Sequence, residues 1–350
     1  MSQIYHLDPT IDARWSAFVE RHPRGSVFHS PGWLRALQTT YGYQPILFTT
    51  DPPSEPINCG LVFCRVESWL TGSRLVSLPF SDHCGFLYDS TADLACLCHF
   101  LQEEVGRQIA EYVQVRPLCP DPGPTNWKNA WSPSEEYFLH RLDMRPDLSD
   151  LFESFDKDSV RRRIRRAERT GLIEKCGRTS QLLHDFYKLF VITRRRHGIP
   201  PTPFRWFQTL AQELREALDI RVAYKDEEPV ASIITLRFKK TVYYKYGASD
   251  TQFNAYGATP WLFWQAIQAG KSSGATQFDF GRTELGNSGL LAFKNHWVAC
   301  PTRLVYWQYP ASSRGALTNG WKWRAAKRLF SALPSRLQVV GGDLIYRHIG

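Results

Sequence analysis

The strongest constraint on the fold of this 350-residue chain lies between residues 220 and 280. Three short apolar runs, at 220–225, 231–238 and 241–248, follow one another with the charged pairs Glu227-Glu228 and Lys239-Lys240 at the turns. Runs of that length with polar punctuation read as an antiparallel meander. A helix is expected at 260–273, then strands at 277–280 and 303–309. Ahead of the meander, 151–169, 180–197 and 203–218 read as helices, the first stopped by Gly171 and the second by Gly198 and Pro200. Helices, meander, helix and strand in that order exclude regular βαβ winding and indicate an α+β fold on mixed sheets.

A second series precedes this one. Residues 31–41 have Trp33, Leu34 and Leu37 at helical spacing, with Ser30 placed to cap and Pro31 at the first helical position. Extended runs are expected at 44–49, 60–66 and 74–78, a helix over 94–112, a short strand at 113–115 and a loop from Pro117 to Pro133. The length allows two domains at roughly 100–200 residues each. We expect them at 1–150 and 151–310, with a basic tail, 311–350, packing back on the first.

Hydrophobic residues are 43% and charged residues 22% of the chain, which excludes a disordered or collagen-like protein. Asp8, Asp12 and Arg14 interrupt the N-terminal stretch where a signal peptide needs an apolar run. No apolar run approaches the ~20 residues that span a bilayer. A soluble, cytoplasmic protein is expected.

The net charge of +9 conceals a division. Residues 1–150 carry 11 Lys/Arg against 18 Asp/Glu, and residues 151–350 carry 32 against 16. The excess positive charge therefore lies in the second part and points to an anionic partner. The eight cysteines, at 59, 64, 84, 96, 98, 119, 176 and 300, form no Cys-x-x-Cys pair. They read as buried free thiols in a reducing compartment, and no metal is expected.

Three stretches carry chemistry. From Lys157 to Thr170 there are seven basic and two acidic residues, and Val160, Ile164 and Ala167 form one apolar stripe. Arg161, Arg162, Arg165 and Arg166 lie off that stripe, and guanidinium suits bidentate phosphate contact. The alternative is a solvated amphipathic helix. Next, Asn254-Ala-Tyr-Gly-Ala-Thr-Pro260 precedes an apolar helix, with Thr259 placed as its cap and Gly257 open to close approach by a ligand. Backbone amides at Gly257, Ala258 and Thr259 would face a phosphate, unless the helix is simply capped. Finally, Asp279, Arg282 and Lys294 reach one rim from a strand end and the segment after it. Asp279 is a candidate proton acceptor or a strand-end hydrogen-bonding group.

Taken in order, these stretches resemble the Fem-type (FemAB-like) acyltransferases, a branch of the GNAT superfamily with two tandem GNAT-like domains. The matching residues are SVRRRIRRAERTGL (159–172), TRRRHGIP (193–200), YYKYGAS (243–249), NAYGATPWLFWQAI (254–267), FDFGRT (278–283) and LLAFKNHW (290–297). FHSPGWLRAL (28–37) and VSLPFSDHCG (76–85) fit as well. The tail, including LPSRLQVVGGDLIYR (333–347), is similar to FemAB-like proteins of exosortase and exopolysaccharide systems.

The resemblance implies transfer of an acyl or aminoacyl group to an amine, in a cleft between the domains. The donor would be aminoacyl-tRNA or acyl-CoA, with no permanently bound cofactor. The acceptor would belong to the cell envelope, peptidoglycan or exopolysaccharide, which brings peripheral membrane proximity into view. NAYGAT departs from the phosphate loop of ordinary GNAT enzymes, and that departure accommodates a tRNA end. Phe293-Lys294 matches the family's Phe-Lys pair, implying that Lys294, or amides near Gly247–Ala248, stabilises charge on the reacting carbonyl. Arg196 would contact acceptor phosphates and Tyr246 would line the cleft. The rival reading is a non-catalytic RNA- or polyanion-binding protein on the same scaffold.

Overall fold

The computed structural model describes residues 3–68, 72–118, 130–311, 346 and 348. The chain forms two compact units, one built on the residues up to Tyr137 with the chain from Arg303 to Ala311, the other on Phe138–Thr302. In chain order the elements are β1 (Tyr5–Leu7), α1 (Ala13–Arg21), α2 (Pro31–Tyr41), β2 (Gln44–Thr49), β3 (Cys59–Ser68), β4 (Gly72–Ser77), β5 (Leu87–Tyr88), α3 (Thr91–Gly106), β6 (Tyr112–Val115) and β7 (Ser132–Asp143). There follow α4 (Leu148–Ser154), a π-turn (Lys157–Arg161), α5 (Arg162–Arg169), β8 (Ile173–Gly177), α6 (Ser180–Arg196), α7 (Phe204–Leu214), β9 (Leu218–Lys225), β10 (Glu228–Phe238) and β11 (Thr241–Ser249). The series closes with α8 (Ala258–Ser272), β12 (Gln277–Glu284), α9 (Ser288–Asn295) and β13 (Cys300–Tyr309).

The two units repeat one plan. In the first, β1 pairs antiparallel with β2, β2 with β3 and β3 with β4, and β6 then adds parallel to β4 after α3. In the second, β8, β9, β10 and β11 pair antiparallel in turn, and β12 adds parallel to β11 after α8. Two helices separate the first two strands each time, α1 with α2 and α6 with α7. This is the mixed-sheet, tandem α+β architecture expected from the sequence. The first unit takes its last strand from late in the chain, where β13 pairs with β6, and in the second β7 from Phe138 onward lies beside β12. The division therefore falls ahead of residue 150, because β7 runs through it.

Local agreement is close where caps are strong. Ser30 Oγ accepts from the Trp33 N–H, and Pro31 begins α2 where the sequence places it. The helix expected over 151–169 is a correction. It is three pieces, because Phe155 is extended and the Asp156 carboxylate captures the N–H groups of Asp158 and Ser159. The apolar stripe survives the break, with Val160, Ile164 and Ala167 fully buried against α8 residues such as Leu262 and Ile267. Strands β1, β5, β7 and β8 and helices α1 and α9 are not in the sequence reading. The expected loop 117–133 ends where β7 begins at Ser132, and residues 119–129 lie outside the described residues.

Cys59, Cys64, Cys84 and Cys98 are buried free thiols, and burial pushes the Cys64 and Cys84 thiols up. Cys176 and Cys300 are exposed and Cys96 is half-buried, so the expectation of burial is corrected for those three. Cys119 lies outside the described residues. So does the tail, apart from Ala311 and two residues that touch the first unit: the Tyr346 carbonyl accepts from Tyr43 Oη at 3.2 Å, and the His348 carbonyl accepts from Arg74 at 3.1 Å. Among the described residues no helix is long and apolar enough to cross a membrane.

Candidate active site

The parallel pairing of β11 with β12 runs through Thr241, Val242 and Tyr243 and goes no further than Tyr243 opposite Asp279. A register shift between Ile234 and Thr235 of β10 lies across from the part of β11 that follows, Tyr244 to Tyr246. Such a bulge bends its strand and re-aims side chains. Beyond the last pair, β11 leads to a 3₁₀ turn (Thr251–Tyr256) and into α8.

That entry differs from the sequence expectation. The residue before α8 is Gly257, at φ 76°, and no side chain caps the helix; Thr259 and Pro260 lie inside its first turn. Only glycine fits position 257, since a Cβ there would collide with the Arg163 carbonyl of α5 as well as strain the backbone. Pro260 is tolerated because first-turn N–H groups have no intrahelical acceptor. The outcome is a helix N-terminus with uncapped amides and the positive end of its dipole, facing a cavity of about 110 Å³.

This cavity gathers several of the expected residues. Gly257, Ala258, Thr259 and Phe293 line it, together with Arg163, Ser249 and Asp250. Arg196 reaches its wall: the guanidinium donates to the Ser249 carbonyl at 3.3 Å, beside Thr193 Oγ1, which donates to the same carbonyl at 3.1 Å. Of the arginines read as phosphate ligands, Arg166 bonds the Ala255 carbonyl at 3.2 Å, next to this site. The other three are drawn toward carboxylates. Arg162 pairs with Asp158 at 2.6 Å, Arg161 with Glu153, and Arg165 with Glu153 at 3.4 Å. Arg163, passed over in the sequence reading, is the arginine of this helix that lines the cavity.

A second cluster is built on β12 and α9. Lys294 is 2% exposed, and its ammonium donates to the Gly281 and Arg282 carbonyls at 2.8 and 3.0 Å. Phe293, one residue earlier, turns the other way, toward the cavity and the rings of Phe263 and Trp297. Asp279 is also 2% exposed; its Oδ1 accepts from the Gly281 N–H at 2.7 Å, and its Oδ2 lies 3.4 Å from Arg141 Nε. That geometry favours the strand-end hydrogen-bonding reading of Asp279. Burial and the nearby Asp279 charge hold the Tyr243 phenol well above its ordinary value. Arg282 is half-buried and presents its carbonyl to Lys294.

Tyr246 is turned into an aromatic cluster. Its hydroxyl accepts from Trp206 Nε1 at 2.8 Å, and its ring meets Phe207 edge-on at 5.0 Å. Arg141 and His140, adjacent on β7, belong to the polar cluster and were missed, since the run Ser132–Asp143 holds no motif.

Residues 155–295 match the acetyltransferase (GNAT) domain family. The UDP-N-acetylmuramoylpentapeptide-lysine N(6)-alanyltransferase of Weissella viridescens is 26% identical over 170 residues, 45% of this chain and 49% of that protein. The match thus spans about half the length of that curated relative. The crystal structure of FemX superposes with a TM-score of 0.70 at 14% identity, covering 94% of this chain and 100% of that one. A tandem GNAT protein from the clavulanic acid biosynthesis pathway superposes at 0.55 with 11% identity, covering 89% and 98%. Over residues 155–295 in sequence, and over most of its length in fold, the chain is similar to GNAT-domain transferases, FemX among them.

Proposed function

We propose that this chain transfers an aminoacyl group from aminoacyl-tRNA to an amine of a peptidoglycan-type precursor in the cytoplasm. The observation that carries this reading is the uncapped N-terminus of α8 beside Arg163, at the point where β11 has parted from β12. Amides and a guanidinium there suit a donor phosphate, and the parted strands give the acyl group a path into the sheet. The activity for which the Weissella relative is named, alanyl transfer to a lysine amine, favours an aminoacyl donor over acyl-CoA.

In the reaction the acceptor nitrogen attacks the ester carbonyl, a C–N bond forms, the C–O bond to the donor breaks, and the amine proton leaves as the donor hydroxyl takes one up. Negative charge develops on the carbonyl oxygen. The buried Lys294 charge would stabilise it at low local dielectric, where such charge counts most. The Asp279 carboxylate, committed to Gly281 and Arg141, serves as a support for this strand end. Arg196 would hold acceptor phosphates from the wall at Ser249.

The test is product formation from charged tRNA and, in parallel, from acyl-CoA, with a lysine-bearing muropeptide precursor as acceptor. Transfer from charged tRNA alone supports the proposal, and transfer from acyl-CoA alone replaces it with an N-acyltransferase of cell-envelope or exopolysaccharide amines. Salt-sensitive RNA binding without transfer to any amine would leave the polyanion-binding reading.

A further inference from the structure

Helix α9 is only eight residues long, and the one residue it buries fully is a lysine, Lys294. A short helix with so little apolar burial depends on polar tethers to stay in place. Lys294 supplies one through the β12 carbonyls. The other comes from His140, which is 0% exposed: its Nε2 lies 3.1 Å from Oδ1 of Asn295, the last residue of α9. An amide oxygen only accepts, so Nε2 carries the proton and Nδ1 is the bare nitrogen. Nδ1 has no hydrogen-bond partner among the described residues.

We propose that His140 is a positioning residue for the transfer: through Asn295 it fixes the end of α9 and so the place of the Lys294 charge. This rests on the reading that Lys294 assists transfer. The charged groups around the imidazole are Lys294 from α9, Asp279 from β12 and its own neighbour Arg141 on β7. Burial, then the Lys294 charge, depress its protonation, against the opposing pull of the Asn295 bond and Asp279. A protonated ring would set a second positive charge beside Lys294 and add an N–H at Nδ1 with no acceptor. Nε2 keeps its hydrogen in either state, so the bond to Asn295 is not itself abolished, but repulsion from Lys294 and the unanswered Nδ1–H displace the charged ring and the tether loosens in acid.

The experiment is single-turnover transfer by the wild type, His140→Leu, His140→Gln and, as reference, Lys294→Met, between about pH 5 and 8, beside donor affinity and melting curves. Leu cannot donate to Asn295; Gln can, and does not titrate. We expect His140→Leu to slow turnover on the order of 10–100-fold with donor Kd unchanged, as small misplacements do. His140→Gln restores most of the rate and lacks the acid limb, whose midpoint in the wild type lies below the ordinary histidine value of about 6.5. A folded His140→Leu variant with wild-type rate, beside a slow Lys294→Met, overturns the positioning role alone. Wild-type rate in Lys294→Met overturns the reading of Lys294 itself. If the Leu variant does not fold, the Gln variant decides: an unchanged acid limb overturns the proposal.

Discussion

The two units carry the same parted strands and treat them in opposite ways. In the first unit the parallel pair β4–β6 ends at Ser77 opposite Val115, and the next residue stitches the gap shut. The Arg116 N–H donates to Ser77 Oγ at 2.9 Å, its guanidinium to the Leu78 carbonyl at 2.8 Å, and its carbonyl accepts from the Cys84 N–H at 2.7 Å. The helix between those strands, α3, is closed too, with Ser90 Oγ accepting from the Ala92 N–H at 3.2 Å. In the second unit Gly257 replaces such a cap and a cavity occupies the corresponding place. One plan serves twice, with a cavity of about 30 Å³ beside Gly85, Leu94 and Pro117 at the stitched seam and one of about 110 Å³ at the uncapped helix start of the second. A buried cation stands near each seam, and its surroundings differ. Arg116 is fixed among Gln114, the Leu78 carbonyl and the Tyr306 ring, whereas Lys294 stands in a cluster with titratable neighbours.

The comparison breaks most directly if the two cations prove interchangeable. Lys294→Met should lower single-turnover transfer by roughly 10²–10³, the typical loss for a charge-stabilising donor. Arg116→Met should leave that rate alone and lower the melting temperature, since it leaves buried acceptors unpaired at a cost of about 1–3 kcal/mol. A slow but stable Arg116→Met variant would mean that the first seam also takes part in the chemistry.

The helix starts give the next contrast. Gly257→Ala forces a Cβ against the Arg163 carbonyl and should weaken donor binding about tenfold or more, by the same sensitivity of positioned groups to small displacements. Ser90→Ala should cost only the ~1 kcal/mol of a lost cap, read by denaturant midpoint, with donor affinity intact. Equal effects on binding would erase the distinction between an open and a closed helix start.

A smaller effect separates the arginines. Arg163→Gln should lower donor affinity and reduce its salt slope by about one phosphate contact. Arg162→Gln, whose guanidinium is held by Asp158, should change neither. If Arg162 matters more, the arginine run acts as a diffuse field and the cavity does not select within it.

The smallest effect is on stability in acid. His140 binds its proton less readily in the folded chain than in the unfolded one, so the stability it contributes is present above the unfolded value of about 6.5. It is lost as pH falls through the lower folded value. The slope of unfolding free energy between those two values should flatten in His140→Gln, and an unaltered slope would show that another group titrates there.

Much of the fold could be read in the sequence because its signals are local. The meander is marked by turn residues that also take positive φ, Asp226, Glu227 and Lys239, and α2 by its cap and proline. The break at Phe155 was hidden, since the apolar spacing continues across it and only the Asp156 side chain interrupts the helix. Thr259-Pro260 resembles a helix start more than Gly257 does, and the collision that demands glycine comes from Arg163, far away in sequence. The sequence reading named residue types at these strand ends. Their division into a cavity at the start of α8 and a buried cation cluster was not legible, because burial of Lys294 depends on carbonyls that no spacing rule connects to it.

The late return of β13 to the first unit bears on how the molecule is made. As synthesis proceeds, β6 emerges early and waits with an open edge until Trp307, Gln308 and Tyr309 arrive to pair with Val115, Gln114 and Val113. An exposed edge is a template for wrong partners, and long-range closure is slow. A gene cut at codon 150 would strip each half of its final strand. Nascent chains stalled before residue 300 should therefore depend on chaperones, while those extended past β13 do not.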